Sequence, residues 1–142
     1  MKDGMKTHLT KLLLLAPMLP LFAMSGFAIT IESLPYTIKK SGTYTLDGNL
    51  SFSGTGVAKA ITVTASNVVL DLNGYTLIGT NGFAIYGSGV NSVTVKNGTI
   101  NGFFAGIEFG SGSQELLQNR TVSNASAPCI ELIICTSGTI QN

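Results

Sequence analysis

From residue 61 onward the apolar positions recur on two scales. Within short runs they alternate with polar ones, as in Val68-Val69-Leu70-Asp71-Leu72 and Val93-Thr94-Val95-Lys96. This is the period of a strand with one face turned inward. The runs themselves return every 22 to 24 residues: Ile61-Thr62-Val63, a weaker Ile85-Tyr86-Gly87, Ile107-Glu108-Phe109 and Ile130-Glu131-Leu132. Leu72, Val95, Leu117 and Ile140 form a second set that keeps the same step. Such a period exceeds one strand and falls short of a domain, so it marks one supersecondary unit that stacks on its copies. The pattern predicts a single all-β domain, a parallel β-solenoid of about four to five coils. Leu70, Leu72, Val93 and Val95 face a shared interior, and like strands of successive coils lie about 4.8 Å apart.

Asparagine follows the same register. Asn97, Asn119 and Asn142 each stand two positions after an apolar member of the second set. Asn tolerates the left-handed backbone of a tight corner, and stacked amides can bond from coil to coil, so these three are expected to form a ladder. Asn97 and Asn119 also begin glycosylation acceptor sequences, as do Asn49 and Asn124, but the ladder accounts better for the first two.

Residues 1–28 obey a different pattern. Lys2, Lys6 and Lys11 precede Leu12-Leu13-Leu14-Leu15 and an apolar stretch broken by Pro17 and Pro20, followed by Ser25-Gly26-Phe27-Ala28. This reads as a secretory signal peptide cut after Ala28. The product is expected to be secreted or held at the cell surface, meeting a membrane only during export. Beyond the cut lie five Lys or Arg and six Asp or Glu, which gives no electrostatic footprint for nucleic acid. Charged residues make up only 11% of the chain while Gly numbers 17, a balance suited to short strands and tight turns. Cys129 and Cys135 remain as a possible small loop. They lack a third soft ligand, so no metal or other cofactor is expected.

The runs Gly42-Thr43-Tyr44-Thr45-Leu46, Asn49-Leu50, Ala60-Ile61-Thr62-Val63 and Val69-Leu70-Asp71-Leu72-Asn73-Gly74 resemble the opening of right-handed parallel β-helix proteins of the pectin-lyase-like superfamily. The resemblance spans residues 30–142 and implies a single-stranded right-handed β-helix. Residues 29–60 then serve as the N-terminal cap and first strands, and 61–142 as coils that stop in mid-coil. No C-terminal cap is evident. The chain is expected to be a truncated piece, with an open last coil suited to edge-to-edge self-association.

In enzymes of that superfamily the substrate lies along the outward residues of one sheet. Here the triplets define that column: Thr62, Tyr86, Glu108 and Glu131. Stacked carboxylates at positions 108 and 131 repel each other. Such a pair suits glycosidic chemistry, although on an exposed face it is more simply solvated, and Tyr86 could stack on a sugar ring. The enzymes' other equipment has no counterpart. Asp47 and Asp71 are far apart in register, Arg120 follows a corner Asn, and His8 lies in the leader. Gly54-Thr55-Gly56 reads as a turn and not a phosphate loop. The expectation is a structural or glycan-binding module, with Tyr86, Glu108 and Glu131 as ligand contacts and no catalytic residue. The alternative is the leading segment of a polysaccharide lyase or glycoside hydrolase whose catalytic coils lie elsewhere.

Overall fold

The computed structural model describes residues 26–127, 129–133 and 137–141. Most of the leader, Cys135 and Asn142 lie outside these residues. The described residues form strands and turns with no helix. The strands are β1 (Ile29–Ile31), β2 (Tyr36–Ile38), β3 (Gly42–Leu46), β4 (Leu50–Phe52), β5 (Lys59–Val63), β6 (Val68–Asp71) and β7 (Thr76–Gly79). They continue with β8 (Phe83–Ser88), β9 (Val93–Asn101), β10 (Ala105–Gly110), β11 (Leu116–Ser123), β12 (Ile130–Ile133) and β13 (Thr139–Gln141).

Every pairing between them is parallel, and strands that follow one another in sequence do not pair. That is the signature of a chain that coils back onto itself, and the molecule is a β-solenoid of about four turns. One sheet has five strands in the order β12-β10-β8-β5-β2, and the other has eight. Ile61, Ile85, Ile107 and Ile130 stand in one register line, as the repeat predicts. Residues 29–60 already stack in register: β1 pairs with β3, β2 with β5, β3 with β6 and β4 with β7.

The corners of the coil are set by asparagine. Asn73, Asn97 and Asn119 adopt φ of 53°, 55° and 43°, a left-handed backbone that costs most other side chains about 1–2 kcal/mol. Asn97 and Asn119 fall inside β9 and β11, so each of those strands turns there and serves two faces of the coil. Asn119 Nδ2 lies 3.5 Å from Asn97 Oδ1, and Asn97 Nδ2 donates to both carboxylate oxygens of Asp71 at 3.1 Å. The ladder therefore rests on a carboxylate, which Lys96 also approaches at 3.3 Å. A second corner column, Asn67, Ser92 and Gln114, shares φ of 57°, 56° and 61°.

The interior is a continuous apolar stack that includes Leu70, Leu72, Val93, Val95 and Leu117. Ile140, the last member of that set in sequence, is exposed in β13, which pairs only with β11 among the described residues. Two charged residues also point inward. Arg120 pairs with Gly98 across β11 and β9, donates from Nη1 to the Gln141 carbonyl and is 8% exposed. Sequence placed Arg120 just past a corner, and the turn at Asn119 swings it inside. Burial lowers the pKa of its guanidinium. Glu115 is 1% exposed, and neither of its carboxyl oxygens has a hydrogen-bond partner.

Candidate functional site

The five-stranded sheet carries the outward column. Thr62 is level with Tyr86, Tyr86 with Glu108, and Glu108 with Glu131, and Thr37 in β2 extends the line by one coil. Thr62, Tyr86, Glu108 and Glu131 are half-buried and Thr37 is exposed. Parallel pairing sets consecutive backbones about 4.8 Å apart. The face thus presents hydroxyl, hydroxyl, phenol, carboxylate and carboxylate at regular steps. Asp71 belongs to the other sheet, where Asn97 and Lys96 engage it. Among the described residues no group of three or more His, Cys, Asp or Glu is placed to hold a metal ion. Cys129 is an exposed thiol.

Tyr86 is less open than its place in the column suggests. The ammonium of Lys59 stands 4.4 Å from the centre of its ring, a cation–π contact that occupies one ring face. The edge of Phe83 meets Tyr86 at a centroid distance of 6.0 Å and an interplanar angle of 72°. Phe83 lies level with Lys59 and Ala105, in a second outward line three residues before the first.

This second line opens onto a hollow. Phe104, from the corner before β10, stands nearly perpendicular to Phe83, with centroids 6.3 Å apart and an angle of 74°. Together with Gly56, Val57 and Asn81 the two rings line an open hollow of about 280 Å³. Val57 is 74% exposed and Phe104 45%. Gly82 permits this corner to close: its φ is +76°, and a Cβ there would lie 2.4 Å from the Ala58 carbonyl oxygen. Backbone therefore packs tightly beneath the rings and holds them outward.

Sequence reasoning named Tyr86 and missed Lys59, Phe83, Phe104 and Val57. Phe103-Phe104 was a visible signal, because two adjacent aromatics at a corner cannot both enter the core. Phe103 is buried, which turns Phe104 out. Comparison with protein-family models, curated proteins and solved structures finds no match to this chain.

Proposed function

We propose that this chain is an exported module of a pectin-lyase-like right-handed β-helix that presents the outward face of its five-stranded sheet to a polysaccharide or cell-surface glycan and does not catalyse. The observation that carries the reading is the unbroken line Thr37, Thr62, Tyr86, Glu108, Glu131, one side chain per coil. Hydroxyl and carboxylate groups accept hydrogen bonds from sugar hydroxyls, and charge-assisted bonds of this kind are among the stronger ones. A linear polymer meets such a face at many points, so weak contacts add up along its length. The leader supports export, and β1 begins at Ile29, the residue that cleavage after Ala28 leaves first.

The test is retention of the purified chain on immobilised polysaccharides. Glu108→Gln combined with Glu131→Gln is expected to abolish retention while leaving the fold intact. Unchanged retention of the double variant would reduce the two glutamates to a solvated surface and remove them from the reading.

A further inference from the structure

We infer that the hollow between Phe83 and Phe104 is a sugar-binding subsite, and that the ring it takes is an uncharged hexopyranose. The inference rests on the glycan-face reading above and adds to it a second site and a ligand class.

Shape comes first. Two aromatic rings at 74° make a floor and a wall, the geometry that receives a flat apolar ring face on one side and its edge on the other. At about 280 Å³ the hollow lies just below the range of sites that enclose a drug-sized molecule. It fits one ring. An extended polymer would have to continue out of it onto the neighbouring column.

The surroundings narrow the occupant further. A peptide that adds as a strand needs an open sheet edge, but β8 and β10 are paired on both sides, in the order β12-β10-β8-β5. The lining offers two rings, the Val57 side chain, the Gly56 backbone and the Asn81 amide, whose oxygen accepts from Gly82 N–H at 2.8 Å and whose NH2 can donate; one column over stand the Tyr86 phenol and the Glu108 carboxylate. Apolar surface flanked by hydrogen-bonding groups complements a sugar, whose C–H face is apolar and whose rim is hydroxyl. Charge then separates the sugar classes. Lys59, level with Phe83 and held over Tyr86, brings one positive charge beside the hollow, against the two carboxylates of the column. A polymer leaving the hollow along the column meets Glu108 and Glu131, stacked in register. A polyuronate would bring its carboxylates against theirs, and like charges at such separations repel. A neutral glycan brings only hydroxyls.

Affinity electrophoresis and titration calorimetry test this with a β-1,4-linked glucose hexasaccharide and, separately, with polygalacturonate. The purified chain is expected to bind the neutral hexasaccharide at least tenfold more tightly than the polyuronate. Phe104→Ala and Val57→Asp are each expected to weaken neutral binding at least tenfold. Both positions are substantially exposed, so circular dichroism and the unfolding midpoint should remain those of the parent chain. Preference for polygalacturonate overturns the assigned ligand class and leaves the glycan face standing. Neutral binding that both hollow variants keep but the Glu108/Glu131 double variant loses overturns the subsite alone. Binding of neither polymer overturns the face and the subsite together.

Discussion

Phe103→Ala is expected to destabilise the chain by about 3–5 kcal/mol, the range for deleting a large buried aromatic. Phe103 is 1% exposed and stacks on Phe52 at 6.4 Å with only 13° between the rings. On the adjoining coil a Cβ at Gly79 would stand 2.5 Å from the Phe103 ring carbons. The missing side chain of one coil is therefore filled by the ring of the next. Removing the ring leaves a void faced by a glycine that has nothing to move into it. Because the surrounding backbone is tied into parallel ladders on both sides, collapse is limited and the cost belongs at the upper end. Domains of this size have about 5–15 kcal/mol in all, so the variant should unfold at much lower urea, with the slope of the transition unchanged. A loss below about 1 kcal/mol, well outside that range, would mean that the Phe103–Gly79 fit is not what holds these coils together.

The second large effect has the opposite sign. Glu115 precedes Leu116, which is level with Thr94, and so it stacks above Val93 in the interior column that includes Val68. Its carboxyl tip lies against Gly112: a Cβ built there would be 2.2 Å from both Glu115 Oε1 and the Val90 carbonyl oxygen. Two acceptors thus converge on one spot, and neither carboxyl oxygen has a hydrogen-bond partner. Leaving a buried polar group unsatisfied costs about 1–3 kcal/mol. Glu115→Met keeps the length and flexibility of the side chain and removes the polar tip. It is expected to raise stability by about that amount, read as a higher melting temperature at neutral pH. A lower melting temperature would show that the carboxyl group stabilises the coil.

How much of this was legible in sequence depends on whether a feature repeats. Ile61, Ile85, Ile107 and Ile130 form one column because every coil needs an apolar residue at the same interior point, and the spacing alone carries that information. Alternation from Leu117 already puts position 115 inside, so the buried Glu115 was readable in principle, although its charge argues for the surface. The second corner column was invisible as a repeat, since Asn67, Ser92 and Gln114 share a backbone conformation and not a residue type. The ladder at Asn97 was legible, but its Asp71 base was not, because that contact runs from a strand to the corner of the next coil.

The candidate site divides in the same way. The line through Tyr86, Glu108 and Glu131 follows from the repeat, whereas the hollow does not. Lys59, Phe83 and Ala105 occupy one register line with three unrelated side chains, and the small one leaves room beside the large one. Val57 and Phe104 approach from different corners. Such complementarity between unlike residues depends on side-chain volume and direction in three dimensions, which no periodicity encodes.

The central claim is that successive coils stand in register and carry one outward side chain each along a single line. Dipolar spin-label distances test it most directly, in a chain with Cys129→Ser and Cys135→Ser. Nitroxides at Thr37→Cys and Glu108→Cys span three coil steps, and at Thr37→Cys and Glu131→Cys four, which places the backbones roughly 14 and 19 Å apart. The predicted result is two narrow distributions, the second longer by about one 4.8 Å step. A second distance no longer than the first, or a broad spread for either pair, would contradict the stacked register and the binding face built on it.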